Sequence, residues 1–270
     1  MGVDPAPKAL LRLMPMSSHP VSFRLDGATA LVTGASRGIG AALAEALAQA
    51  GADVILTARG DLADTAALVE AAGRRAYRCP ADQGSRESVD TLLAALGRDV
   101  PMPDILVNNA GTIRRGAFVD FGLQDWDEVL EVNLSAPFRL SQRVAKCWTG
   151  AKRGGRIIHI ASMLSFQGGV RVASYTAAKS AIAGLTRLMA NELAPFGITV
   201  NAIAPGYIAT ENTAALRADP DRNRAILDRI PAGRWGTPDD LKGAVIFLAS
   251  PAAAYVNGHI LAVDGGWLAR

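Results

Sequence analysis

Ala28-Thr29-Ala30-Leu31-Val32-Thr33-Gly34-Ala35-Ser36-Arg37-Gly38-Ile39-Gly40 reads as a buried strand that runs straight into a glycine turn and then a helix. Gly34, Gly38 and Gly40 let the backbone turn tightly, approach a pyrophosphate and pack the helix against the strand. The helix N-terminus behind them offers unpaired N–H groups and a positive dipole end to phosphates. A bare structural turn is the competing reading. Strand, glycine spacing and helix coincide here, and a second strand follows at 52–58, so the stretch reads as a dinucleotide-binding turn.

Working outward, strand-like runs recur at 28–33, 52–58, 75–79, 104–109, 156–162, 198–204 and 259–264. Helical stretches lie near 38–50, 61–72, 85–97, 123–150, 173–194 and 237–249. The strand runs are continuously apolar, as in strands covered on both faces. Such alternation predicts a single α/β domain over 23–270, a Rossmann-type doubly wound parallel sheet of about seven strands with helices on both faces. The segment 206–236 breaks the rhythm with charged helical patches, and at the carboxyl edge of the sheet it reads as a substrate lid.

Residues 1–22 are set apart as an extension outside the fold, with Met14 and Met16 as alternative starts. Their stretch ALLRLM contains an arginine and precedes Pro15, so it fails as a secretory signal core. The 270 residues carry 28 Lys and Arg against 25 Asp and Glu, a mild excess with no basic block to serve as a nucleic-acid footprint. No apolar run reaches the length of a membrane span. Cys79 and Cys147 show neither zinc nor redox spacing and read as buried small hydrophobes of a reducing, cytoplasmic compartment. No Asp/Glu/His cluster has metal-ligand spacing, so no catalytic metal is expected. His159, inside a strand, reads as a satisfied core histidine.

The four-residue step from Tyr175 to Lys179 puts both side chains on one helix face, and Ser162 ends the neighbouring strand. Taken singly these residues have plain readings: a half-buried aromatic, a solvated charge and a strand cap. Together with the turn they form an ordered set. Thr33 precedes G-x-x-x-G-x-G; Asn108-Asn109-Ala110-Gly111 ends the fourth strand; Asn133 lies on the next helix; Ser162, Tyr175-Thr176-Ala177-Ala178-Lys179 and Pro205-Gly206 follow. Over about 25–270 this resembles the short-chain dehydrogenase/reductase family.

The resemblance implies a hydride-transferring oxidoreductase in which Asn133, Ser162, Tyr175 and Lys179 act catalytically. Ser162 would hold the reacting oxygen, Lys179 would also hold the nicotinamide ribose, and Asn133 would keep a proton-relaying water. A phenol starts near pKa 10, so work near neutrality needs it lowered by about 2 units. The ammonium of Lys179 and an oxidised nicotinamide are the expected cause. The cofactor would lie along Gly34, Ser36, Arg37, Gly38, Ile39, Gly40, Ala58, Arg59, Asn109, Ala110, Gly111, Tyr175, Lys179, Pro205 and Gly206. Asp82 matches the acid that meets the adenine amine, and Ile208 and Thr210 match positions at the carboxamide.

NADP(H) is favoured over NAD(H), which stays possible. Ala58 stands where an acid would bind the adenine ribose, Arg59 follows, and Arg37 approaches from the turn. Asp61 falls where an acid simply caps the next helix.

NNAGTIRR (108–115), IASMLSFQGGVRV (160–172) and ILDRIPAGRWG (226–236) resemble the subgroup of 2-deoxy-D-gluconate 3-dehydrogenases and 2-dehydro-3-deoxy-D-gluconate 5-dehydrogenases. That implies a sugar-acid substrate and a place in uronate catabolism. A gluconate 5-dehydrogenase, another sugar or polyol dehydrogenase and a 3-oxoacyl reductase are the alternatives. A non-catalytic dinucleotide sensor is disfavoured because Tyr175 and Lys179 are retained. A carboxylate needs cationic partners, and Arg114, Arg115, Arg171 and Arg234 stand in candidate pocket segments. Gln167 is a candidate hydroxyl partner. The family further implies a homotetramer of D2 symmetry built on helices 123–150 and 173–194, with the tail from Trp267 to Arg270 placed to reach a neighbouring subunit.

Overall fold

The computed structural model describes residues 21–270. The expected extension, with its alternative starts at Met14 and Met16, falls almost wholly outside the described residues. At its edge Ser22 already belongs to the fold, because its carbonyl accepts a hydrogen bond from Ala252 N at 3.2 Å.

Seven strands form one parallel sheet: β1 (Thr29–Thr33), β2 (Asp53–Thr57), β3 (Ala76–Arg78), β4 (Ile105–Asn108), β5 (Gly155–Ile160), β6 (Ile198–Pro205) and β7 (Ile260–Val263), in the order β3-β2-β1-β4-β5-β6-β7. Order reverses beside β1 and β4, so a crevice opens at their carboxyl ends, where ligands of such sheets bind. The helices are α1 (Gly38–Gln49), α2 (Ala63–Ala71), α3 (Arg86–Ala95), α4 (Leu123–Leu130), α5 (Ala136–Gly150), α6 (Ala173–Leu193), α7 (Ala214–Ala218), α8 (Pro220–Leu227) and α9 (Lys242–Ala249).

Strand pleating sends alternate residues into two cores. Ala30, Val32, Val54, Leu56 and Val107 face Leu43 and Leu47 of α1, Val69 of α2 and Val245 and Leu248 of α9. Leu31, Ile55, Leu106 and Ile157 face Val89 of α3, Leu140, Val144 and Trp148 of α5 and Met189 of α6. Both faces are therefore dry, which is why the strand sequences are continuous rather than alternating.

Three expectations change. The helix read over 123–150 is two helices joined by a π-helical turn, Glu131–Ser135. Pro137 supplies a physical reason: it has no N–H to give the carbonyl of Asn133, its α-helical partner. The tail, expected to meet a neighbouring subunit, is anchored at Trp267 on its own subunit, with Ala269 and Arg270 exposed. Trp267 is 5% exposed and packs with Met163, Ile226 and Ile230, because Asp264 accepts from Gly266 N and Leu268 N and folds the chain back. The cysteines are free but only half-buried, Cys79 just past edge strand β3 and Cys147 between exposed Lys146 and buried Trp148.

Segment 206–236 holds α7 and α8. Asp219 caps α8, accepting from Asp221 N and Arg222 N at 3.1 Å each. The segment is pinned by Ile226 and Ile230 in the Trp267 cluster, and Tyr207 lies edge-on to Trp235 and Trp267 at 5.4 and 4.7 Å. Among the described residues no helix is long and apolar enough to cross a membrane.

Candidate active site

The glycine turn is shaped by neighbours that leave no room for side chains. A Cβ on Gly34 (φ +65°) would sit 2.8 Å from Ala110 Cα, and one on Gly40 would collide with the carbonyl of Gly34. Thr33 holds the facing loop, its hydroxyl accepting from Asn109 N at 3.0 Å and Ala110 N at 2.9 Å. Asn109 returns the contact by donating to the carbonyl of Thr33 at 2.8 Å. The first turn of α1 has no acidic residue and no side-chain cap, so its N–H groups face the cleft unpaired.

A cavity of about 410 Å³ runs from this turn to Tyr175 and Lys179. Gly34, Ser36, Arg37, Gly38, Ile39, Gly40, Ala58, Arg59, Asp82, Asn109, Ala110, Gly111 and Thr210 all line it. Gly206 and Ile208 do not. They line a second cavity of about 210 Å³, and Pro205 borders neither because it closes β6 inside the sheet. Sequence reading placed Thr33 before the glycines without seeing that it ties the two loops, and gave no role to Gln83, Val132, Glu211 and Asn212, which line the larger cavity.

No acid stands between Thr57 and Asp61, and Asp61 turns to α2, accepting from Ala63 N at 3.0 Å. Arg59 is exposed, with Asp82 3.9 Å away, while Arg37 pairs with Glu211 at 2.8 Å. The cradle of unpaired N–H groups, the glycine surfaces and the two guanidiniums therefore fit a phosphorylated dinucleotide.

At the other end, Lys179 is 4% exposed, donates to the carbonyl of Ile160 at 2.6 Å and lies 5.6 Å from the Tyr175 ring centre. Burial lowers its ammonium to about 8. The phenol of Tyr175 moves the other way. Burial raises it above 10, opposed by the nearby Ser162 hydroxyl and by the positive charge of Arg115. Lys179 keeps its ammonium over the Tyr175 ring while it donates to the end of β5. Ser162 Oγ also accepts from Leu164 N at 3.2 Å, which fixes the turn after β5. Asn133 spends both ends of its side-chain amide on Thr112, accepting from its N at 2.9 Å and donating to its carbonyl at 2.7 Å.

The substrate candidates separate sharply. Arg114 pairs with Glu128, a residue of the larger cavity's wall, at 2.6 Å and with Asp125 at 3.5 Å, and Arg234 forms a two-pronged pair with Asp240 beside the smaller cavity. Both would have to exchange a carboxylate of this chain for one of a ligand. Gln167 Oε1 faces Trp267 Nε1 at 3.4 Å and Arg229 at 3.5 Å. Arg115 donates to the carbonyl of Asn212 at 3.1 Å, and Arg171 adopts a left-handed backbone (φ 64°) whose carbonyl accepts from Gly116 N at 3.0 Å. Neither has a carboxylate partner among the described residues.

His159 is buried behind the site. The Asn108 amide donates to Ser141 Oγ at 2.9 Å and meets His159 Nδ1 at 3.2 Å, while Nε2 has no partner, so the histidine is only half satisfied. Burial, then the charge of Lys179, lowers it to about 3. Its contribution to stability is therefore present above pH 6.5 and lost as pH falls toward 3. Among the described residues no three His, Cys, Asp or Glu side chains gather as a metal site would require.

A family model described as enoyl-(acyl carrier protein) reductase matches residues 34–268. The chain is also 53% identical to a 2-dehydro-3-deoxy-D-gluconate 5-dehydrogenase of Bacillus subtilis, covering 92% of this chain and 98% of the relative. The chain belongs to the short-chain dehydrogenase/reductase family. Among solved members, a candidate 2-deoxy-D-gluconate 3-dehydrogenase from Agrobacterium tumefaciens with NADP bound shares 54% identity at a TM-score of 0.86, covering 92% of this chain and 99% of that one. A gluconate 5-dehydrogenase from Burkholderia cenocepacia in complex with NADP and tartrate shares 40% identity at a TM-score of 0.87, covering 92% and 98%.

Proposed function

We propose that this protein is an NADP(H)-dependent dehydrogenase that interconverts hydroxyl and keto groups on a sugar acid, 2-dehydro-3-deoxy-D-gluconate or 2-deoxy-D-gluconate. The observation that carries the reading is one cleft with a phosphate-cradling turn at one end and Tyr175 and Lys179 at the other, with Ser162 ending the neighbouring strand. The relatives' names supply the substrate class. A gluconate 5-dehydrogenase is the second reading, favoured by the Burkholderia neighbour.

When bound, the nicotinamide supplies or takes up the hydride. The chain's part is to position the substrate and move one proton. Ser162 Oγ holds the reacting oxygen, and Tyr175 Oη gives or receives its proton. Arg115 favours the phenolate, offsetting the burial that raises the phenol. Lys179, now on the Ile160 carbonyl, is the ribose ligand and fixes the strand end that bears the site. Both ends of the Asn133 side chain are held by Thr112, and its backbone carbonyl, which receives no N–H from Pro137, is the relay point in this reading. Asp82 meets the adenine amine, Thr210 lies toward the carboxamide, and segment 206–236 covers the substrate.

Arg115 and Arg171, without a carboxylate partner among the described residues, are the first candidates for a substrate carboxylate, ahead of Arg114 and Arg234. Arg115→Met should raise KM for the sugar acid about tenfold or more, the scale of a charge-assisted hydrogen bond, and move the rising limb of the pH–rate profile upward. An unchanged KM and pH profile would remove Arg115 from the site.

The protein is further read as a cytoplasmic homotetramer with no nucleic-acid or membrane partner. Free Cys79 and Cys147 suit a reducing compartment. Phe138 on α5 and Leu188 on α6 are exposed apolar side chains available for pairing. Light scattering at micromolar concentration should give the mass of four chains; a monomer mass would refute the assembly.

A further inference from the structure

Segments distant in sequence meet at one guanidinium. Arg229, just past α8 in the lid segment, stacks on Trp267 of the tail, its Cζ 4.0 Å from the ring centre. The same guanidinium lies 3.5 Å from Gln167 Oε1, and Trp267 Nε1 lies 3.4 Å from that oxygen. Gln167 belongs to the turn that follows Ser162, where its N donates to the Met163 carbonyl at 3.1 Å. Met163, next to Ser162, packs with Ile226, Ile230 and Trp267, so lid, tail and catalytic turn share one apolar base. A cation and an indole N–H thus converge on one end of the Gln167 amide. That fixes its orientation, because the reverse would set an NH₂ against two donors. The NH₂ is the end left over, and it can only donate. A guanidinium flat on an aromatic face holds this joint in one plane, which a flexible ammonium would not.

We infer that Arg229 is a positioning residue: with Trp267 as its platform, it turns the Gln167 amide so that the NH₂ donates to an oxygen of the sugar acid held at Ser162. The inference rests on the sugar-acid reading and adds to it the direction of one hydrogen bond and the residue that sets it. Arg229 acts through Gln167, so it governs substrate affinity and leaves the proton and hydride steps alone.

The test is steady-state kinetics of the intact protein with NADP(H) and 2-dehydro-3-deoxy-D-gluconate or 2-deoxy-D-gluconate. Gln167→Glu still accepts from both donors and gains an ion pair with Arg229, so its melting temperature should hold or rise. It has lost the NH₂, so KM for the sugar acid should rise about tenfold while KM for the cofactor stays level. Gln167→Met should raise the sugar-acid KM about fivefold, the scale of one lost hydrogen bond, with kcat unchanged. Arg229→Met should raise it about threefold in the wild-type background and not at all on top of Gln167→Met, the mark of two residues acting as one. Arg229→Lys should fall between Met and wild type. An unchanged KM in Gln167→Glu, or equal effects of Arg229→Met in the two backgrounds, would overturn the proposal. If the wild-type protein turns over neither sugar acid, the sugar-acid reading falls and the inference falls with it.

Discussion

Tyr175→Phe is expected to lower kcat by about 10²- to 10⁴-fold, the range of a lost general acid or base. One oxygen disappears while the ring keeps its place on α6, so folding and cofactor affinity should hold. Loss in kcat with little change in cofactor Kd marks an interaction made in the transition state. Ser162 cannot substitute, because a serine hydroxyl without a base partner is a poor proton donor, and His159 lies in the sheet with its ring held by Asn108. The pH profile carries a second signature. Lys179 titrates at about 8 by burial, so its charge beside the site is lost as pH rises through that value. The burial penalty on the protein eases over the same window, from about 8 toward 10.5, so stability should rise there as activity loses its ammonium. Stopped-flow turnover and a denaturation series across pH 7–10 check both. Near-normal turnover in Tyr175→Phe would remove the phenol from the reaction.

The second large effect is on the choice of cofactor. Arg59→Ala should cut kcat/KM for NADP(H) about tenfold and leave NAD(H) nearly unchanged, so that the preference narrows or inverts. The figure is taken at the low end for a charge-assisted bond because the Arg59 side chain is 70% exposed and screened. Arg37 is the poorer test. Its guanidinium is paired with Glu211 at 2.8 Å, so a 2′-phosphate must compete with that carboxylate. Steady-state kinetics with both cofactors, before and after the mutation, gives the answer. A wild-type preference for NAD(H), or a preference unmoved by Arg59→Ala, would show that the phosphate is read elsewhere.

The strands and the cofactor cleft were legible because their signals are local. Continuous β-branched runs mark strands with two covered faces, and Gly34 and Gly40 occupy points where backbone from another loop or the same turn lies in contact. Asp61 could be assigned to a helix start from position alone, and its bond to Ala63 N agrees. What depended on distant partners was not legible. Arg114 and Arg115 are adjacent in sequence, yet one meets Glu128 from the following helix and the other meets Asn212 across the cleft. The balance on the Tyr175 phenol likewise depends on chain segments far apart in sequence, whose packing raises it against the charge of Arg115. The π-helical turn at Glu131–Ser135 had a visible cause in Pro137, which the apolar periodicity of 123–150 concealed. Gln83 gave no signal at all, since only a folded chain reveals that an amide is buried without a partner.

The most direct measurement is steady-state turnover followed at the nicotinamide absorbance, with 2-dehydro-3-deoxy-D-gluconate, 2-deoxy-D-gluconate, gluconate and a 3-oxoacyl thioester, each with NADP(H) and NAD(H). The account predicts that kcat/KM is highest for a deoxy sugar acid with NADP(H) and that the thioester is turned over poorly. Rapid turnover of the thioester with no turnover of any sugar acid would contradict it.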